Sequence, residues 1–528
     1  MVKHVWNYAL LVVLVLLAAC SEKSEYIRVI PQDASVVGSF QIASLVQKSG
    51  LTESVDQTVL DKLKKNVVQG LPAEEAKVVE NILNNPSESG IDFKKPIYFF
   101  IQPDGETSGI VACVQSSDKL HDLVDVLAGQ QVCTQLEEKD GASWTEGGKL
   151  VVAFTDEVLL MGAGRMESEG MKKLMKDWLN NPAERSFVAT SEYKAMAEAN
   201  ADVAFVNSLD LMPVELRSMI QAALPEGAKL SDIRMLTATR FENGKMVADI
   251  QTIYKNEDLR KMAETQMASL DKLNTKYMDA YPESTFCWMA MRGNGAKLYE
   301  QLDKQKVFGS MLMSMPFDID LKPLFEAVDG TVTLGMNMRD ENIPQISLFA
   351  EVKNADFLSN LISQLKPIVS MAGRSMRLVP VGKDSYELQL SNGAQFGMGQ
   401  GPTAICIGVR DKRFYLTNDK LLLNEGVKGN SLVKAPWADE VSGKRFFMAM
   451  SVASIRPLIL SEVPRYSRGL AGQVIDNFSY LTVEAKDAEH ATLTIASNDA
   501  KTNVLKQWVD LGLKLSGESG RNCLIVSI

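Results

Sequence analysis

Two periodicities alternate along this chain. Runs in which every second residue is apolar predict strands, and between them apolar residues recur at i, i+3, i+4 and i+7, the stripe of an amphipathic helix. The clearest stripes are Leu120, Leu123, Val124 and Leu127 within 117–127, and Leu358, Leu361, Ile362 and Leu365 within 355–365. These two helices sit at matching points of an order of elements that occurs twice. A strand at 34–42 with a helix start at 44–48 corresponds to a strand at 284–291 with a helix at 295–302. Ile91-Asp92-Phe93-Lys94-Lys95-Pro96 corresponds to Ile319-Asp320-Leu321-Lys322-Pro323, each leading into apolar strand residues. After the striped helix, a hairpin at 149–161 corresponds to one at 403–416, and a strand at 202–211 to one at 445–455. Each copy closes with strands (233–240 and 245–254; 480–486 and 490–497) and a helix (258–270; 501–515). In the first copy the turn is Asn243-Gly244, a strong hairpin signal between apolar runs.

The expected fold class is therefore α+β, internally duplicated, with two similar halves at 34–280 and 281–515 and a tail at 516–528. Each half is expected to hold a mainly antiparallel sheet with helices covering one face. The copies differ in two places. The first has extra helical residues at 53–70 and 73–84 around Pro72. The second has a long excursion at 367–402 with a strand at 386–390 and a glycine-rich stretch at 393–401. That stretch is no phosphate loop, because a strand follows it and no Lys-Ser/Thr pair ends it. It reads as a loop, with a ligand-gating role as the alternative.

The first residues break the pattern. Residues 5–19 are almost wholly apolar behind Lys3 and His4. The run is shorter than the roughly 20 residues of a membrane span and has the form of a signal peptide, 1–19. Leu17-Ala18-Ala19-Cys20 resembles the bacterial lipobox, which implies cleavage after Ala19 and acylation of Cys20. Residues 20–33 then form a tether. Its Glu22 and Glu25 partly resemble the acidic export signal of surface lipoproteins, with Lys23 interrupting it. The expected location is the cell envelope, on a membrane reached through the lipid anchor. The outer membrane is favoured, and its periplasmic and surface faces stay open.

Composition removes several functions. With 528 residues the chain exceeds one core, and a formal charge of −10 argues against nucleic acid as a partner. Besides Cys20 there are Cys113, Cys133, Cys287, Cys406 and Cys523, without CxxC spacing, so neither a disulfide framework nor a zinc site follows. The first four lie in apparent strands, as buried free thiols would. Past the leader only His121 and His490 remain. His121, with Asp118 at i−3 and Asp125 at i+4, could be a carboxylate-paired base, but the spacing favours a solvated helix face. No GxSxG, HExxH or Walker sequence occurs, and no catalytic residue, metal site or cofactor is assigned.

Methionine is abundant at 25 residues and recurs in alternate pairs: Met289/Met291, Met311/Met313/Met315, Met336/Met338 and Met448/Met450. Thioethers suit Cu(I), yet alternate strand residues share a face, so a Met-rich sheet face under helices is the plainer expectation. Trp178 and Trp437 fall in comparable segments and could stack sugars; Trp508 fits a helix core.

The lipobox, Ile30-Pro31-Gln32-Asp33-Ala34, Ser44-Leu45 and the segment 89–100 resemble a Bacteroidetes lipoprotein family known only as a domain of unknown function. The resemblance implies a cell-envelope location and supplies no reaction. Three functions remain: a non-catalytic module binding an envelope protein, glycan or lipid, which the lack of catalytic motifs favours; a hydrolase using paired carboxylates; and a Met-based soft-metal carrier.

Overall fold

A computed structural model describes residues 25–51, 68–211, 227–304, 319–340, 343–394 and 401–518, with a few single positions between them. Ala19, Cys20 and the leader lie outside the described residues, as do most of 53–70, Met311, Met313, Met315 and the tail beyond 518. The chain divides into two compact units. The first is Met1–Leu211 with Arg234–Phe241 and Leu505–Asp510; the second is Met212–Ile233, Glu242–Val504 and Leu511–Ile528.

The first unit is built on strands β1 (Val36–Phe40), β2 (Ile97–Ile101), β3 (Ser108–Cys113), β4 (Glu137–Lys139), β5 (Ala142–Gly147), β6 (Leu150–Phe154), β7 (Val158–Ala163), β8 (Val203–Ser208) and β9 (Ile233–Glu242). They pair antiparallel in the order β4-β5-β6-β7-β3-β2-β1-β8-β9. Its helices are α1 (Ile42–Ser49), α2 (Ala73–Asn84), α3 (Ser117–Gly129), α4 (Ser168–Leu179) and α5 (Ser191–Glu198). Ser116 caps α3 by accepting from the Lys119 amide, the usual device for an otherwise orphaned N–H. Leu120 and Val124 then pack on Ala112, Phe154 and Leu159. On the opposite face α4 buries Met171, Met175 and Trp178, with Trp178 edge-on to Phe100 at 4.9 Å. Helices thus cover both faces here, not one. The strands explain it: β7 buries Val158, Leu159 and Leu160 in succession, so both of its sides are apolar.

The second unit contains β10 (Lys245–Tyr254), β11 (Thr285–Asn294), β12 (Val328–Asp340), β13 (Ile343–Val352), β14 (Met376–Gly382), β15 (Ser385–Leu390), β16 (Thr403–Arg410), β17 (Arg413–Thr417), β18 (Phe446–Ser451), β19 (Phe478–Ala485) and β20 (His490–Ser497). The order is β14-β15-β16-β17-β13-β12-β11-β18-β19-β20-β10, again antiparallel throughout. Helices α6 (Glu257–Ala268), α7 (Gly295–Lys304), α8 (Lys322–Ala327), α9 (Asp356–Ala372), α10 (Lys420–Glu425), α11 (Val452–Glu462) and α12 (Arg468–Ile475) accompany it, and α13 (Val504–Glu518) follows β20. Helix α9 runs through Pro367 to Ala372, where the sequence suggested an end at the proline. The apolar stripe that continues beyond it outweighs one forfeited backbone bond.

The two faces of this second sheet are packed differently. One face carries Trp288, Phe349, Tyr415 and Phe447, all nearly inaccessible, with Met278, Tyr281, Leu432 and Trp437 laid over them by short turns. Trp288 stacks on Trp437 at 5.5 Å, and Tyr281 hydrogen-bonds through its hydroxyl to the Thr333 hydroxyl and the Ser347 carbonyl. A side chain at Gly335 would strike the Tyr281 ring, so the close approach of that ring requires glycine. The other face is buried at Ala350, Ile407 and Phe414 and half-buried at Met289, Leu334 and Leu348, and it holds the candidate site.

Candidate functional site

Register places the apolar residues of this second face in rows. Cys287 lies between Met336 and Met450, Met289 between Leu334 and Met448, and Met291 between Val332 and Phe446. Toward the other edge, Val332 is followed by Ala350 and Phe414, and Leu334 by Leu348, Leu416 and Ile407. Ile405 faces Leu388 across the next ladder. Three methionine pairs thus share one face on adjacent strands, as alternation on a strand requires.

Over the β12-β13-β17-β16 part of this floor stand α7, α8 and α9, and α9 packs Phe357, Leu358 and Ile362 on Ala350, Ile407 and Phe414. Between them lies a cavity of about 670 Å³, lined by Leu298 of α7, Leu324 and Phe325 of α8, Leu361 and Leu365 of α9, and the sheet residues from Met291 to Leu416. Every lining side chain is apolar apart from Gly295, which has none. The volume falls within the roughly 300–1,000 Å³ of small-molecule sites, in a protein interior where voids larger than a water molecule are few. Leu361 and Leu365 belong to the stripe read in the sequence; that they border a cavity could not be read there.

Beside the cavity, against the next face of α9, is a more polar hollow of about 600 Å³. Ile362, Lys366 and Val369 form one wall and Arg377, Leu378 and Tyr386 the other. Tyr386 and Leu388 point to the same side of β15, so the hollow and the cavity lie side by side on one sheet face.

The remaining sequence candidates fall elsewhere. His121 does not pair with Asp118 or Asp125. Its Nε2 lies 3.0 Å from the Ser143 hydroxyl and 3.6 Å from Glu138, and Ser143 donates to the same carboxylate at 2.5 Å. Sequence reasoning missed Ser143 and Glu138 because β4 and β5 were not foreseen. A Ser-His-acid relay needs the acid on the far ring nitrogen. Here the acid and the hydroxyl share one nitrogen, so the group reads as a surface hydrogen-bond cluster. His490 Nδ1 is 2.9 Å from Asp487 in the turn before β20.

Burial pushes the Cys113, Cys287 and Cys406 thiols up, away from the thiolate a metal or nucleophile needs. Cys133 lies outside any strand, between α3 and β4. Among the described residues no group of three His, Cys, Asp or Glu side chains could hold a metal ion. Trp144, Trp178, Trp288 and Trp437 are buried, and Trp508 is edge-on to Phe241 at 5.8 Å; none of the first four is a platform for a sugar.

Among the described residues, Glu440 and Glu484 are two carboxylates whose charges interact. Burial pushes the Glu440 carboxyl up, aided by the Glu484 charge, while Glu484 pairs with Lys444. Neither lines any cavity described above, so the pair lacks a place for substrate. No helix among the described residues is long and apolar enough to cross a membrane.

A search of curated proteins found no match. Among solved structures, three crystal forms of TP0453 are similar. Form I has 11% identity and TM-score 0.25 over 44% of this chain and 79% of that one. Form IV has 10% and 0.25 over 43% and 79%, and form III 9% and 0.25 over 47% and 89%. At those TM-scores the likeness carries no argument about function. A family model gives the assignment: it matches residues 26–505, and the chain belongs to the family described as Domain of unknown function (DUF4836).

Proposed function

We propose that this protein is a cell-envelope lipoprotein, anchored in the outer membrane through acyl groups on Cys20, that binds a small apolar ligand and catalyses no reaction. One observation carries the binding reading: the apolar cavity beneath α7, α8 and α9. Among the described residues its lining side chains offer no donor, acceptor or charge to act on a bond. They do offer burial, and each methylene taken from water is worth about 0.8 kcal/mol. Ten methylenes would supply roughly 8 kcal/mol, the scale of a micromolar complex, before the costs of association. The flexible methionines along the floor suit a ligand of adjustable shape.

Duplication belongs to the same proposal. What supports it is the strand order: β4-β5-β6-β7-β3-β2-β1-β8-β9 in the first unit and β14-β15-β16-β17-β13-β12-β11-β18-β19 in the second. The repeat boundary is placed near Tyr281-Pro282. The cores under the striped helices support it too, since Ala112, Leu120, Val124 and Phe154 cluster in the first unit as Ala350, Leu358, Ile362 and Ile407 do in the second.

Binding is tested with an uncharged naphthylamine dye. Val332→Phe combined with Leu365→Trp fills the cavity and is expected to weaken dye binding at least about tenfold, or ~1.4 kcal/mol, while Tm holds or rises because voids are filled. Unaltered dye binding with a normal Tm would contradict this reading. The anchor is tested separately. Cys20→Ser is expected to move the protein from the membrane fraction to the soluble one, and unchanged detergent partitioning would remove the anchor from the account.

A further inference from the structure

We infer that the first unit binds one small oxyanion, a carboxylate or phosphate group, on the side chains of Arg234 and Ser208. This site is separate from the apolar cavity and shares no residue with it. The register of β8 and β9 sets Ser208 directly opposite Arg234, and directly opposed residues put their side chains on one face of a sheet. Val206 and Leu236, the pair two positions along on that face, are buried. Arg234 is 9% exposed and Ser208 3%, so an arginine lies where apolar side chains are the rule. Its Nη1 donates to the Ala34 carbonyl at 3.0 Å and to the Ser35 carbonyl at 3.1 Å. The Ser35 carbonyl also accepts from the Ser208 amide, at 3.2 Å. The guanidinium therefore reaches from β9 across Ser208 to the residues just before β1.

Two polar atoms at this place are left over. Arg234 Nε and the Ser208 hydroxyl are enclosed and have no hydrogen-bond partner among the described residues, whereas nearly all enclosed polar atoms in proteins have one. Charge is left over too. Arg234 bonds only to backbone carbonyls among the described residues, and neutral carbonyls do not cancel a buried positive charge. Asp232, two residues earlier, turns its carboxylate to the Lys229 amide at 3.0 Å. Geometry then selects the ligand class. With Nη1 held by the two carbonyls, the remaining edge of the guanidinium is the Nε–Nη2 fork, which matches the paired oxygens of a carboxylate or phosphate. The Ser208 hydroxyl supplies a further donor beside it. A neutral ligand would leave the charge uncompensated, and a halide offers one acceptor centre where the fork takes two.

The test uses the full chain carrying Cys20→Ser, titrated calorimetrically with inorganic phosphate and with acetate in sodium chloride at constant ionic strength, so that chloride competes throughout. One or both oxyanions are expected to bind at one site per chain and to raise Tm, because a ligand held only by the folded state stabilises it. The tighter of the two assigns the group as phosphate or carboxylate. Ser208→Ala removes a hydroxyl that has no partner, so the anion-free Tm should hold while affinity falls about tenfold, the scale of one hydrogen bond to a charged group. Arg234→Lys keeps the charge but loses the fork, and should weaken binding at least about tenfold. Should Arg234→Lys fail to fold for want of its bonds to Ala34 and Ser35, the Ser208→Ala comparison decides alone. No saturable binding of either oxyanion, undiminished binding in Ser208→Ala, or undiminished binding in a folded Arg234→Lys overturns the inference. None of these outcomes touches the apolar-ligand reading, which rests on the cavity of the second unit.

Discussion

Replacing Asp202 by alanine is expected to cost the first unit about 3 kcal/mol, the low end of the 3–5 kcal/mol for breaking a buried ion pair. Asp202 is 4% exposed and precedes β8. Its carboxylate accepts from Lys48 Nζ at 2.7 and 2.8 Å, from the Ser44 hydroxyl at 2.6 Å and from the Phe241 amide at 2.7 Å. It therefore ties α1, β8 and β9 together. Alanine would orphan the Phe241 N–H, while Lys48, partly exposed, could turn to water and keep the cost at the low end.

The pH dependence has a definite sign. Burial alone would raise the Asp202 carboxyl, but the bonds from Lys48, Ser44 and the Phe241 amide outweigh it and hold it below the usual carboxylate range. A depressed folded-state pKa contributes stability above the unfolded value of about 3.9 that is lost as pH falls through the folded one. Urea unfolding from neutral pH to below pH ~4 should thus show the wild type losing its advantage over Asp202→Ala on acidification. A variant within about 0.5 kcal/mol of wild type at neutral pH would contradict this account of the joint.

Trp288→Ala should be comparably severe in the second unit, at about 3–5 kcal/mol. The indole is 1% exposed and contacts Trp437, Phe447 and Tyr281. Its Nε1 has no hydrogen-bond partner among the described residues, so its contribution is packing and stacking. Trp288→Phe should accordingly recover most of the loss, costing about 1–2 kcal/mol. Denaturant unfolding followed by near-UV circular dichroism separates the cases; a phenylalanine variant as unstable as the alanine one would imply a polar role for the indole.

How far the sequence reached follows the range of the interactions. The stripes of α3 and α9, the strands β8 to β11 and the pairs Met289/Met291 and Met448/Met450 were legible, because periodicity is local. Strands β4 and β5 were missed: Glu137 to Lys139 is entirely polar and exposed, so no alternation marked it. The end of α9 was misread because Pro367 is a strong local breaker whose cost tertiary packing overrode. The cavity was out of reach for another reason. Alternation tells which residues share a face, but not whether Leu298, Leu324 and Leu365, far apart in the chain, close over it. Likewise Ser44 and Lys48 carried no visible link to Asp202, some 150 residues away.

The most direct test of the central claim is a crystal structure of the Cys20→Ser chain grown with a fatty acid brominated along its chain. The account predicts an anomalous bromine peak between Leu348, Phe414 and Leu365, beneath α9. A well-ordered structure with no peak there, or with bromine only on the outer surface, would contradict it.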